Sequence, residues 1–293
     1  MAKSGRRREW ARATDDTDTF PAVGDDDPAE PSPADEDDYP AESGWRVDTR
    51  LRFKRLGQAV VDRLPQLSVV IVAGLALCLS FPPFGWWYLA IAAFALLAWV
   101  LTRESTTLAG GFGYGFLFGL AFYLPLLPWI SGLVGAFPWM MLAVMEALFP
   151  AVFGLGAVAV RHLSGWPFWF AALWATQEWL KSTVPFGGFP WGVVGFSQTD
   201  GPLLAIAQLG GAPLLSFAVV LTGVSLAAIT FEVVKWWRRN EESQKAAPPA
   251  VVLPGVCVSV VLLTTALAWP HVRQSGLGAG DDPSITVAAV QGN

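Results

Sequence analysis

Glu178 and Lys181 stand three residues apart at the end of an apolar stretch, Trp174-Ala-Thr-Gln177-Glu178-Trp179-Leu-Lys181. On a helix they share one face, where they can neutralise each other at membrane depth. Directly after them comes Pro185-Phe-Gly187-Gly188-Phe189-Pro190-Trp191-Gly192, and then Phe196-Ser197-Gln198. A piece so rich in Pro and Gly cannot continue a helix, and irregular backbone inside a membrane persists only when packed in protein or lining a wet cavity. The spacing therefore predicts a re-entrant or interfacial loop. Its candidate residues are Glu178, Lys181, Gly187, Gly188, Phe189, Pro190, Trp191 and Gln198. Two readings stand side by side: a mouth through which a lipid or lipidated substrate gains access, or an ion pair that only pins the loop.

Glu146 is a second carboxylate in apolar surroundings, with no Lys or Arg within a turn of it. A lone carboxyl there requires a partner on another helix, a hydrated cavity or a proton, so Glu146 is an intramembrane polar candidate beside the plainer reading of a structural hydrogen bond. Gly111, Gly115 and Gly119 repeat every fourth residue, and Gly154 with Gly156 offers similar close approach; such stripes mean backbone packing. The Gly110–Gly115 run is no phosphate loop, because no strand, turn and helix surround it. Cys78 and Cys257 lie inside apolar runs without a nearby base, which leaves no activated nucleophile. Two distant histidines, His162 and His271, and two cysteines give no metal-like spacing. Neither a metal nor a cofactor is expected.

These residues need a scaffold, and composition says where it stands. Hydrophobic residues make up 53% of the chain and charged ones only 15%, an imbalance foreign to a water-soluble globule. Residues 65–270 carry just fourteen charges, too few to solvate a folded surface of that size. An acidic chain without a basic face also makes nucleic acid an unsuitable partner. Apolar stretches at about 66–81, 84–101, 108–128, 137–160, 166–182, 203–234 and 249–269 are read as membrane helices. The expected fold is an all-α polytopic membrane protein, a seven-helix transmembrane bundle over 65–270.

Lys and Arg set the orientation. Twelve of them, including Arg46, Arg50, Arg103, Arg161, Lys235 and Arg238, fall on one side of the seven crossings, against Lys181 and Arg273 on the other. The amino terminus is then cytoplasmic and the carboxyl end extracytoplasmic, in a multi-pass protein of the plasma membrane. Residues 1–64 form a cytoplasmic tail and juxtamembrane segment. The first 45, with five basic and thirteen acidic residues, are too polar to fold, and the last part is basic. Over 271–293 a Gly/Asp-rich linker leads into Ile285-Thr-Val-Ala-Ala-Val290, a β-branched run that reads as a buried strand. A lone strand is not stable in water, so a new extracytoplasmic domain is expected to start there.

Taken together, Ser80-Phe81-Pro82-Pro83, Pro128-Trp129-Ile130, the run from Gln177 to Lys181, Gly187-Gly188-Phe189-Pro190-Trp191-Gly192 and the closing Val290-Gln291-Gly292-Asn293 resemble the apolipoprotein N-acyltransferase family of actinobacterial type. The resemblance covers roughly 65–293, with Lys181 where the family often has Arg. It implies transfer of an acyl chain from a phospholipid donor to the α-amino group of a diacylglyceryl-cysteine on a lipoprotein acceptor. It also implies that the Glu, Lys and Cys of catalysis belong to an α/β nitrilase-like domain whose first strand is 285–290. No catalytic residue is then expected within this chain, which by itself would be inactive. Truncation would make it a fragment, a degenerate protein, or half of a split enzyme with a separately encoded catalytic domain. The alternative is a membrane scaffold for a glycosyltransferase, a polyprenol-phosphate mannose synthase. A small transporter is less well supported, because no helix pair shows matched interruptions.

Overall fold

Among residues 61, 63–185, 187–240 and 249–274, which the computed structural model describes, apolar sequence has become helix almost throughout. The described helices are α1 (Leu64–Leu79), α2 (Tyr88–Leu101), α3 (Leu108–Leu126), α4 (Pro128–Val134), α5 (Ala136–Val160), α6 (Trp166–Lys181), α7 (Ala207–Asn240) and α8 (Val252–Gln274). Two 3-10 turns, Val194–Gln198 and Pro202–Ile206, lie between α6 and α7. The acidic tail, nearly all of the basic segment before α1 and the strand expected over 285–290 fall outside the described residues.

Local chemistry explains most boundaries. Proline sits at the start of α1, α4 and α6, where its missing N–H is no loss. Thr107 caps α3 by accepting the Gly110 N–H at 3.0 Å. Gly135, at φ 93°, makes the corner between α4 and α5 that an L side chain would resist. At the far end of α5, one Arg161 guanidinium nitrogen donates to the carbonyls of Leu101, Arg103 and Thr106 at 3.2, 2.7 and 2.8 Å. Those carbonyls close α2 and the turn after it, where a helix leaves acceptors unpaired.

The glycine stripe of α3 packs on α5. A Cβ on Gly119 would come within 2.8 Å of the Ala147 backbone, and one on Gly111 within 2.6 Å of the Gly154 carbonyl. Only hydrogen fits there, and close backbone approach is what holds helices together in lipid. Gly156 faces the Leu173 side chain on α6 instead. The centre of the bundle is aromatic: Trp174 of α6 meets Phe94, Phe153 and Phe118 edge-on at 4.6, 5.0 and 6.0 Å between centroids.

The outside of the bundle is apolar too. Leu108–Leu126, Ala136–Val160, Pro202–Arg238 and Val252–Pro270 are long and apolar enough to cross a bilayer, and Leu64–Leu79 and Tyr88–Leu101 are shorter apolar helices. Leu263 and Leu267 on α8 are 62% and 75% exposed. Such a surface is at equilibrium in hydrocarbon rather than water. The chain is a helical membrane protein.

Three features depart from the sequence reading. The short α4 fills the interval between the apolar stretches at 108–128 and 137–160, where no helix is expected. The stretch at 203–234 is not one helix, because it opens with the turn Pro202–Ile206 and is broken at Gly210 and Gly211, whose φ values are −155° and 65°. Hydropathy runs on through both glycines, so periodicity alone does not see the break. The third departure concerns Lys181.

Candidate functional site

Lys181 ends α6 and is fully buried. Its ammonium lies 3.5 Å from Glu146 Oε2, donates to the Trp191 carbonyl and sits 5.2 Å from the centroid of the Tyr123 ring. Thus α3, α5, α6 and the irregular segment meet at one cation. Glu146 finds the partner on another helix that its isolation required. The expected pairing of Lys181 with Glu178 is corrected: the two share a helix, but Lys181 pairs with Glu146 on α5 while Glu178 accepts from Trp174 of its own helix and from the segment that follows.

Glu178 is held by other groups. Its Oε1 accepts from the Trp174 indole N–H at 2.9 Å and from the Val194 backbone N–H at 2.8 Å. One carboxylate oxygen therefore joins the aromatic centre to the first residue of a 3-10 turn. Both donors would otherwise be buried without partners.

Two further tethers hold the same segment. Ser216 Oγ on α7 accepts the Gly195 N–H at 2.8 Å, and Gln198 Nε2 donates to the Trp87 carbonyl at 3.2 Å. Gln198 is therefore anchored toward the start of α2, apart from the lysine. The Phe189 N–H returns to the Lys181 carbonyl at 2.9 Å, so the chain doubles back directly after α6. Gly188, at φ 77°, is pressed on the Ser182–Thr183 backbone, and Phe189 packs on the core. Gly187 is exposed, with open space among the described residues where a Cβ would stand. Pro190 and Trp191 face outward, and the Trp191 ring lies 5.2 Å from that of Trp129 on α4.

The result is an irregular segment whose backbone is held at Trp191, Val194 and Gly195 by buried side chains from α6 and α7, with Trp191 and Phe196 exposed. This is the arrangement that non-helical backbone needs inside a membrane. Hydrogen-bonding capacity remains at Glu178 Oε2 and at both amide atoms of Gln177, which are buried without a partner among the described residues. Neither Cys78 nor Cys257, both free, is among the hydrogen-bond partners of these groups. Among the described residues no three His, Cys, Asp or Glu side chains gather in a way that could hold a metal ion. Tyr123, Trp174, Val194 and Ser216 were not singled out from sequence. Only Trp174 carried a signal, its place four residues before Glu178 on one helix face.

The Glu146, Glu178, Lys181 and Ser216 side chains all lie within residues 73–225, which match the apolipoprotein N-acyltransferase N-terminal domain. The chain belongs to the apolipoprotein N-acyltransferase family. It is 59% identical over 282 residues to the apolipoprotein N-acyltransferase of Mycolicibacterium smegmatis, covering 95% of this chain and 47% of that protein. It is 29% identical to the enzyme of Shewanella oneidensis over 79% of this chain and 43% of that one. A third apolipoprotein N-acyltransferase, from Nitrosomonas europaea, is 34% identical over 61% and 37% respectively. The chain thus spans about half the length of the curated apolipoprotein N-acyltransferases that match it along most of its length.

Proposed function

We propose that these residues form the membrane platform of an enzyme that moves an acyl chain from a phospholipid to the α-amino group of a diacylglyceryl-cysteine on a lipoprotein. The bond-making groups lie outside this platform, and a polypeptide limited to these 293 residues transfers no acyl chain. The platform receives both lipidated substrates at the loop that follows α6. The observation that carries this reading is the buried Lys181 ammonium. By gripping both Glu146 and the Trp191 carbonyl, it fixes a loop whose outer face is the Trp129–Trp191 aromatic pair. Such rings suit the boundary between acyl chains and headgroups.

The test is lipoprotein N-acylation by protein expressed from its whole reading frame. Trp191→Ala removes an aromatic pair of about 0.5–1.5 kcal/mol beyond its buried area. Turnover at low lipid is expected to fall about tenfold through KM, with kcat little changed. Unchanged turnover at normal protein level would leave Trp191 without a part in lipid access.

The platform crosses the membrane seven times, with α4 beside the loop on the outer face and the turn between α2 and α3 in the cytoplasm. Arg103, Arg161, Lys235 and Arg238 at one end of the bundle support this orientation. In whole cells Gly132→Cys is expected to react with a membrane-impermeant maleimide, and Glu104→Cys only after permeabilisation. The reverse pattern would invert the topology.

A further inference from the structure

We infer that the end of the bundle remote from Lys181 binds a phospholipid with an anionic headgroup, in a groove between α2 and α7 that takes no part in acyl transfer. Trp166 and Lys181 are the two ends of the 16-residue α6, roughly 22 Å apart along its axis. The groove opens at the Trp166 end. It is made of three adjoining hollows. One, of about 940 Å³, is lined by Arg103, Lys235 and Trp166 together with the start of α8. The second, of about 660 Å³, adds Arg238. The third, of about 360 Å³, is walled by Val69, Leu96, Leu226 and Ala227 and is almost wholly apolar. Trp99 and Phe231 line all three, so the hollows adjoin along these two residues, basic where Arg103 and Arg238 stand and apolar where Leu96 and Leu226 do.

That polarity is the shape of a phospholipid. The acids at the basic end are Glu104 and Glu232. Glu232 is engaged by Lys235 at 3.9 Å and by the Ala250 N–H at 3.4 Å. Arg161 is committed to the three carbonyls that close α2. Arg103 lies with its guanidinium 4.6 Å from the Trp99 ring centroid, which holds it at the rim. Among the described residues neither Arg103 nor Arg238 forms an ion pair. Two guanidiniums over an apolar trough match a phosphate above acyl chains, because Arg presents paired donors to phosphate and basic pockets between membrane helices hold anionic headgroups.

This inference rests on the membrane reading alone, so loss or survival of acyl transfer in the Trp191 variant leaves it untouched. The full chain, delipidated in mild detergent, is titrated with equal phosphatidylglycerol and phosphatidylcholine, and bound lipid is counted by native mass spectrometry. The parent is expected to retain phosphatidylglycerol at least fivefold in excess. Arg103→Gln/Arg238→Gln is expected to lose that preference, by about fivefold per cation removed. Leu96→Trp, which fills the trough and keeps the charges, is expected to weaken retention of both lipids. Equal retention by the parent, or an undiminished preference in the double variant, would overturn the site. Displacement of phosphatidylglycerol by equimolar glycerol 3-phosphate would also overturn it, because the acyl chains would then contribute nothing.

Discussion

Lys181→Met is expected to destabilise the protein by about 3–5 kcal/mol, the usual cost of stripping one partner from a buried ion pair. The Glu146 carboxylate, 3.5 Å from the ammonium and itself only 1% exposed, would remain in the bundle with no cation beside it. The companion variant Glu146→Gln/Lys181→Met removes both charges. It is expected to recover most of the loss and to stay about 1–3 kcal/mol below the parent, because the Trp191 carbonyl still lacks its donor. Unfolding by graded denaturing detergent, read for the parent, both single variants and the double variant, gives the coupling between the two sites. Simple additivity of the single effects would mean that the pair contributes no mutual stabilisation.

The second large effect belongs to Glu178. Glu178→Leu deprives both the Trp174 indole and the Val194 amide of their acceptor. Two buried donors left unsatisfied cost about 1–3 kcal/mol each, so about 2–6 kcal/mol is expected, concentrated in the segment after α6. Glu178→Gln keeps an acceptor oxygen in place, so both donors keep a partner. Hydrogen exchange of the 192–198 stretch is the local reading. Protection is expected to collapse in the Leu variant and largely survive in the Gln variant. Equal behaviour of the two would remove Glu178 from its place as the holder of Val194.

How much of this could be read beforehand depended on whether the determining contact was local. The Gly111, Gly115, Gly119 stripe was legible because its meaning is steric and its period is that of a helix face. Even Gly154 was recognised, although which of Gly154 and Gly156 meets α3 is settled by the crossing of two helices. Glu146 was legible as a group in need, since an isolated carboxylate in apolar surroundings demands a partner. The identity of that partner was not. The i,i+3 rule assigned Lys181 to Glu178, because the rule sees one helix at a time. In the bundle, Trp174 of the same helix and the Val194 amide of the loop approach Glu178 to 2.9 and 2.8 Å, while Lys181 reaches α5 and the loop. The Pro/Gly segment was legible as non-helical. Of the side chains that tether it, Glu178, Lys181 and Gln198 stood out in the sequence and Ser216 did not, but the backbone groups they hold at Val194, Trp191, Trp87 and Gly195 carry no side-chain signal. The break at Gly210–Gly211 was hidden by hydropathy that continues through it.

The tethers share one property. Lys181 holds a carbonyl, Glu178 and Ser216 each hold an amide proton, and Gln198 reaches from the segment to a carbonyl on α2's doorstep. All four clasp the main chain, which every amino acid carries, and none depends on the outward side chains of Pro190, Trp191 or Phe196. Those three positions are thereby released from folding duty. The course of the loop can be inherited unchanged while its outer chemistry is rewritten by exchanging a few surface residues.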